Sequence, residues 1–264
     1  MGVESIVVAG RDAWLKAYAQ DDGRKLGLGI LDAIARGLDI DALRPPPHPG
    51  GGEAKDIEAR RLAQLEAQGV HVPRVLGEGA STLLLSNLGD TFAARLRAAD
   101  GDASRIDALT QAVVDAIAEA HARGAYFGQP LPRNITLDDA GRVGFIDFEE
   151  DPLEVMSLPQ AQARDWLMFA FGMARYYDGR TEVLADMLSQ VLQREPEVAA
   201  HANRVGRLQG FAQRIRWLGR SARHVAHSIL VVHAASTLLP VLVFVAVLWD
   251  WVDDGEIELL KMLF

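Results

Sequence analysis

The chain has 264 residues, 49% of them apolar and 24% charged, which is enough to bury a sizeable hydrophobic core. Its formal net charge of −9 argues against general nucleic-acid binding, and the absence of cysteine excludes disulfides, thiolate catalysis and zinc–sulfur sites. Residues 1–10 lack a basic region and a long apolar run, so no secretory signal peptide is predicted there.

Two short strands are predicted first. Residues 6–8 are apolar and precede a turn at residues 10–12, and residues 13–18 alternate in the manner of a strand that carries a single lysine, Lys16. Only fifteen residues precede Lys16, which leaves room for one strand before it.

A helix and a loop are predicted next. Residues 26–43 are apolar with helical spacing. Residues 45–52 are rich in proline and glycine and predict a loop, because proline lacks an N–H donor and glycine lacks conformational constraint. We interpret this loop as a linker.

A second helix is predicted over residues 53–68, with an apolar stripe on one face and Gly69 as its C-terminal stop. Within it, Glu58 is the best candidate to pair with Lys16. Glu53 remains an alternative partner.

Further along, residues 91–99 and 106–123 have helical spacing. The second of these two helices ends at His121, and no His/Cys/carboxylate set at structural zinc spacing accompanies that histidine. Its predicted role is structural, as a hydrogen-bonding tie to the segment that follows.

The stretch from His121 to Asp151 pairs Asn134 with Asp147 at the end of an apolar strand, residues 143–148. A hairpin turn at residues 138–141 would bring the two side chains together. Both carry hard oxygen atoms of the kind that Mg²⁺ needs. The pattern therefore predicts a magnesium site.

This stretch resembles the catalytic loop and metal-binding segment of the protein-kinase-like superfamily, most closely the lipopolysaccharide and Kdo kinase branch. The usual pattern there is His-x-x-Gly-x-x-His-Gly-Asp, four residues, Asn, and later Ile-Asp-Phe-Glu. Phe127 stands where the second His belongs, and Gln129 stands where the catalytic Asp belongs. The matching positions are His121, Gly124, Gly128, Asn134 and residues 146–149.

The resemblance implies ATP and Mg²⁺ as cofactors. Lys16 and Glu58 would orient the nucleotide's phosphates, and Ser86 and Leu88 would belong to the hinge beneath the adenine. The short segment before Lys16 implies a trimmed N-lobe that lacks most of the backbone amides covering the phosphates in ordinary kinases.

The same resemblance makes Asn134 and Asp147 the metal ligands and Gln129 the residue that places the acceptor. Asp165 resembles the helix aspartate that supports the catalytic loop from below. A neutral amide can orient a hydroxyl but cannot take its proton, so a slow enzyme and a catalytically inactive pseudokinase both remain open.

The C-terminal part contains residues 229–249, an uncharged run close to the ~20 residues that cross a bilayer as a helix. Arginines precede it and acidic residues follow it, which predicts the body inside and the tail outside. The alternative is a buried helix pair broken at Pro240. Residues 205–226 could lie on anionic headgroups or form a solvated helix.

The sequence thus predicts an α+β, two-lobed protein-kinase-like fold with a trimmed N-lobe and a C-terminal transmembrane helix. The predicted domains are a nucleotide-gripping N-lobe (1–88), a helical C-lobe with the catalytic-loop equivalent (89–228), the transmembrane helix (229–249) and a short acidic tail (250–264).

The predicted function is an ATP- and Mg²⁺-dependent phosphotransferase that acts on a sugar or lipid-linked hydroxyl. It would be anchored by a single pass in the inner (cytoplasmic) membrane, with the bulk of the chain cytoplasmic. Its partners would be a membrane lipid or glycolipid surface and a protein, but not nucleic acid. The alternative is a pseudokinase that serves as a membrane-tethered nucleotide-binding or scaffold module.

Overall fold

The computed structural model describes residues 2–19, 40–47 and 49–204. These residues form a mixed α+β fold with six α-helices and two small antiparallel sheets, in agreement with the predicted α+β class. Residues 2–19, 46–47 and 49–162 belong to one compact unit, and residues 40–45 and 163–204 belong to a second. The predicted lobe boundary at residue 88 falls inside the first unit.

The first unit begins with a four-stranded antiparallel sheet in the order β1-β2-β4-β3. Strand β1 spans Gly2–Val8, β2 spans Arg11–Ala17, β3 spans Val75–Glu78 and β4 spans Thr82–Ser86. Strand β1 is therefore longer than the predicted strand at 6–8.

A two-residue loop joins β1 to β2. Ala9 and Gly10 both have positive φ, +50° and +76°, as a type I′ turn requires. The resulting register sets Lys16 opposite Val3 on β1 and Leu83 on β4. Directly opposed residues share a face of the sheet, so the lysine lies on the face of the buried Leu83.

Helix α1 spans Gly51–Ala67 and starts two residues before the predicted helix, so the last two glycines of the predicted loop are helical. It ends in a Schellman motif, in which the N–H of Val70 donates to the carbonyl of Leu65 and the N–H of Gly69 donates to that of Glu66. The positive φ of Gly69, +73°, makes this ending favourable for glycine, as predicted.

The rest of the first unit combines two helices with a three-stranded antiparallel sheet in the order β5-β6-β7. Helix α2 spans Phe92–Ala98 and helix α3 spans Ala103–Ala122. Their N-termini are capped by the side chains of the preceding Thr91 and Asp102. The strands are β5 (Asp90–Thr91), β6 (Ile135–Leu137) and β7 (Val143–Phe145).

Helix α4 (Leu158–Met173) begins in the first unit, and the second unit contains the remainder of it together with α5 (Thr181–Leu192) and α6 (Pro196–Arg204). Within this unit the indole of Trp166 donates to Glu195 at 2.8 Å. The predicted helix at 26–43 lies outside the described residues except for its end, where Asp41–Leu43 form a 3-10 turn.

The predicted transmembrane helix is corrected by the structure. In the part of the chain that the structure describes, no helix is both long and apolar enough to cross a membrane. Helix α3 has the length, with 20 residues, but it carries charged side chains on its outer face, such as Asp115 and Glu119. Residues 229–249, on which the prediction rested, lie outside the described residues together with the rest of 205–264.

Candidate functional site

A buried lysine is the centre of the site. The ammonium of Lys16, a residue only 5% exposed, lies 2.6 Å from a carboxylate oxygen of Glu58 and 2.6 Å from a carboxylate oxygen of Asp147. Tyr18 donates its phenolic hydrogen to the same Glu58 oxygen at 2.5 Å. We call Lys16, Tyr18, Glu58 and Asp147 the lysine cluster.

Three separate elements build the lysine cluster. Lys16 lies near the end of β2 and Tyr18 directly follows the strand, and alternation along an extended chain sends both side chains to one side. Glu58 comes from the buried face of helix α1 and is only 1% exposed. Of the two acidic partners that the sequence allowed for Lys16, the structure places Glu58 and not Glu53 in this contact.

The charges around the lysine are unbalanced. Burial acts to lower the pKa of Lys16, but the carboxylates of Asp147, Glu58 and Glu149 outweigh it, so the pKa of this lysine is raised well above 10.5. Lys16 is thus a permanent cation at physiological pH. One positive charge among three negative ones leaves the neighbourhood with a formal charge of −2.

The buried phenol of Tyr18 should make the protein less stable at alkaline pH. Burial, with the Glu58 carboxylate beside it, raises the pKa of the Tyr18 phenol well above 10. The unfolded chain then ionises first as the pH rises, so the stability that this protonated phenol supports is present below about pH 10 and is lost above it. We expect Tyr18→Phe to cost about 1.5–3 kcal/mol near neutral pH and to flatten the alkaline decline.

Urea unfolding at neutral pH and at about pH 11 measures both effects. Lys16 contributes an alkaline decline of the same sign, so the variant should retain part of the slope. An unfolding free energy that falls equally steeply in the variant and in the wild type would contradict the assignment.

Asp147 lies two residues beyond β7 in an uncommon backbone conformation. Its φ is +75°, a left-handed value that few residues other than glycine, asparagine and aspartate adopt. Its side chain is 30% exposed, so one oxygen can reach Lys16 while the carboxylate remains accessible to a ligand. Backbone conformations of this kind concentrate at functional sites, which favours a binding role for Asp147.

Asn134 is brought next to the Asp147 segment by the backbone. Its carbonyl accepts a hydrogen bond of 2.9 Å from the N–H of Ile146, and its side-chain nitrogen donates to the backbone carbonyl of Gln129 at 3.1 Å. With the amide nitrogen used in this way, the amide oxygen is the atom that suits a cation. Among the described residues no group of three His, Cys, Asp or Glu side chains is placed to hold a metal ion.

Gln129 has an acidic neighbour. Its side-chain nitrogen donates to a carboxylate oxygen of Glu150 at 3.0 Å, across 21 positions of sequence. The place where the resembling kinases carry an aspartate therefore holds an amide in direct contact with a carboxylate supplied from elsewhere in the chain.

A second polar network joins helix α1 to the loop that carries Gln129. The guanidinium of Arg61, a fully buried residue, lies 3.6 Å from the ring centre of Tyr126 and donates to the Tyr126 carbonyl. The Tyr126 hydroxyl donates to Asp151 at 2.7 Å, and Asp151 also pairs with Arg60 at 3.0 Å. The helix that carries Glu58 is thereby fixed to Tyr126 and to Asp151, near the start and at the end of the stretch from His121 to Asp151.

An aromatic stack supports the same loop. Phe127, which stands where the resembling kinases carry a second histidine, stacks on Phe145 with ring centres 3.9 Å apart. The ring of His121 also stacks on Phe127, with ring centres 6.2 Å apart. Gly128 has φ +89°, and a Cβ there would lie 2.9 Å from Pro152, so only glycine fits between the stack and the following turn.

The predicted hinge residues lie in a different environment. Ser86 and Leu88 line an open cleft of about 800 Å³ whose walls include His71, Arg74 and Arg142 but not the lysine cluster or Asn134. The Ser86 hydroxyl accepts the backbone N–H of Arg74 at 2.9 Å. Burial and the positive charge of Arg142 lower the pKa of His71 in this cleft.

Sequence reasoning missed several residues of the site. Tyr18 could have been found, because it lies two positions after the key lysine and must share its side of the chain. The contacts of Glu150 and Asp151 could not have been found, because the sequence of three consecutive acidic residues does not show which of them faces the loop that carries Gln129. Arg61 reads as an ordinary solvated charge until the fold buries it.

No protein-family model and no curated protein matches this chain. The case for a function therefore rests on the site itself.

Proposed function

We propose that this chain is a kinase-like phosphotransferase that binds ATP together with Mg²⁺ and transfers the terminal phosphoryl group to a sugar or lipid-linked hydroxyl. The observation that carries the proposal is the buried Lys16 held between Glu58 and Asp147 at 2.6 Å from each. Packed apolar side chains would stabilise the fold as well as buried charges of this kind, or better. The presence of the buried charges therefore favours a binding function.

Lys16 supports phosphate binding through its geometry. An ammonium has three N–H donors, and Glu58 and Asp147 accept from it in the structure. Glu58 is almost fully buried and fixes the lysine from behind. A phosphate oxygen can approach the ammonium from the side of the more exposed Asp147.

The residues present fit a magnesium ion. Asp147 offers a carboxylate, Asn134 offers an amide oxygen, and the formal charge of −2 around Lys16 favours a divalent cation. Mg²⁺ is commonly held by one or two protein ligands and substrate phosphates, which agrees with two protein donors here. When bound, the ion would neutralise charge on the phosphates.

An apolar surface beside the lysine fits a nucleobase. Trp14 lies two positions before Lys16 on β2 and therefore on the same face of the sheet. Val3 and Val7 of β1 lie on this face too, because they pair with Lys16 and with Asp12. Trp14 is 38% exposed and Val7 is 69% exposed. An aromatic ring next to a phosphate-binding cation suits a flat base stacked on one side and phosphates directed at Lys16.

Calorimetric titration of the purified full chain with ATP, with and without Mg²⁺, tests the proposal. Wild type should bind in the presence of Mg²⁺, and Lys16→Met should weaken binding at least tenfold. Lys55→Met is the matched control, because Lys55 pairs with the exposed Asp56 and Glu78 and lies outside the lysine cluster. Absence of ATP binding to the wild type would refute the proposal.

A pseudokinase is the second candidate, and the amide of Gln129 at the aspartate position favours it. Such a protein would use the nucleotide site for binding and not for turnover. Metal-dependent ATP binding with neither phosphate release nor phosphoryl transfer to any acceptor tried would favour the pseudokinase.

A further inference from the structure

We propose that Glu150 is the catalytic base of this site and that Gln129 positions it. This inference rests on the proposed function, and it assigns to one residue the step that the missing aspartate leaves without a proton acceptor. The observation behind it is the 3.0 Å hydrogen bond from the Gln129 amide to the Glu150 carboxylate.

The location of Glu150 follows from the chain of contacts around Gln129. The backbone carbonyl of Gln129 accepts from the Asn134 amide at 3.1 Å, and the Asn134 carbonyl accepts from Ile146, the residue before Asp147. Gln129 therefore links Glu150 to Asn134, one of the two residues that would hold the metal. A carboxylate is brought to the side of the catalytic loop although the loop itself carries none.

Glu150 differs from the acidic residues on either side of it. Asp151 is buried and its oxygens already accept from the Tyr126 hydroxyl, the Leu153 N–H and the Arg60 guanidinium. Glu149 contributes to the charge that raises the pKa of Lys16, on the nucleotide side. Of the three consecutive carboxylates, Glu150 is the one bonded to the loop residue at the acceptor position.

The chemistry needs a carboxylate at this place. As the acceptor oxygen forms its bond to the terminal phosphorus of ATP, the bond from that phosphorus to the bridging oxygen breaks, and ADP leaves with the bonding electrons. The proton of the acceptor O–H passes to the Glu150 carboxylate and from there to water, because the residue is only partly buried. The Gln129 amide holds the carboxylate in place and cannot itself take the proton.

Three variants test the assignment in the full chain. Glu150→Gln removes the base while its new amide oxygen can still accept from Gln129. Gln129→Glu combined with Glu150→Gln exchanges the carboxylate and the amide, so that the hydrogen bond is kept and the carboxylate moves onto the loop. Glu154→Gln is the control, because Glu154 is an exposed carboxylate four positions further on.

The measured quantities are ATP affinity by calorimetry, phosphate release with water as the acceptor, and phosphoryl transfer from ATP to a set of monosaccharides. We expect Glu150→Gln to lower kcat by about 10²–10⁴-fold with the ATP dissociation constant unchanged. The exchanged double variant should have a kcat at least tenfold higher than that of Glu150→Gln. Glu154→Gln should match the wild type in all three measurements.

Three results would overturn the inference, and they are distinguishable. If the wild type turns over ATP and Glu150→Gln retains that rate, Glu150 is not the base and the proposed function stands. If the wild type binds ATP through Lys16 but shows neither phosphate release nor transfer, the base assignment fails and the pseudokinase is favoured. If the wild type binds no ATP, both proposals fail.

Discussion

Replacing Asp147 with asparagine is expected to abolish the Mg²⁺-dependent part of ATP binding, with a loss of at least 100-fold in affinity, while the protein remains folded. Asparagine has the shape of aspartate but not its charge. It also tolerates the positive φ of +75° that this position requires, so backbone strain does not complicate the result. Glu58 still neutralises Lys16 in this variant.

Calorimetric titration with ATP at several Mg²⁺ concentrations measures the effect, and circular dichroism checks the fold. Asp139→Asn is the matched control, because Asp139 is a fully exposed carboxylate in the turn between β6 and β7, paired with Arg95. Equal magnesium dependence in Asp147→Asn and in the wild type would show that Asp147 serves the ion pair with Lys16 and not a metal. Asp147→Ala is a poorer choice, because alanine is strained at this φ.

Removing the Lys16 ammonium is expected to destabilise the protein by about 3–5 kcal/mol, because the Glu58 carboxylate is then buried without a cation. Glu58 is 1% exposed and would keep only the Tyr18 hydroxyl as a hydrogen-bond donor from the lysine cluster. Lys16→Met is the suitable substitution, since it retains most of the side-chain length. Urea unfolding of the full chain measures the loss.

A double variant separates the buried charge from simple packing. Glu58→Gln combined with Lys16→Met leaves an uncharged amide that still accepts from Tyr18. It should therefore be more stable than Lys16→Met alone. A double variant that is less stable than the single one would contradict the argument, because the loss would then come from packing and hydrogen bonds and not from an isolated carboxylate.

Much of the first unit could be predicted from periodicity and turn chemistry. The helix that carries Glu58 was recognisable from its apolar stripe and its terminal glycine, and the strand of Lys16 from alternation. The pairing of these two side chains was predicted because the resemblance to kinases implies a lysine–glutamate pair between this strand and this helix, with Glu53 as the alternative acid. The hairpin before Asp147 followed from turn residues, and the N–H of Gly141 does donate to Asp138.

The contacts that could not be predicted depend on long-range geometry. Which of three consecutive carboxylates faces Gln129 is decided by the path of the backbone after Asp147, whose left-handed φ is not visible in a sequence pattern. The burial of Arg61 against Tyr126 joins positions 65 residues apart. The transmembrane prediction concerned residues 229–249, which lie outside the described residues.

Helix α1 is clamped at two levels, by Glu58 on the lysine side and by Arg60 and Arg61 on the side of Tyr126 and Asp151. To swing outward, the helix would have to leave a buried guanidinium and a buried carboxylate without partners at the same moment, at a cost of several kcal/mol. Helix α1 thus holds together the strand that carries Lys16 and the loop that carries Gln129. We expect any regulation of this protein to act elsewhere than on the position of helix α1, because moving the helix would break both sets of buried contacts at once.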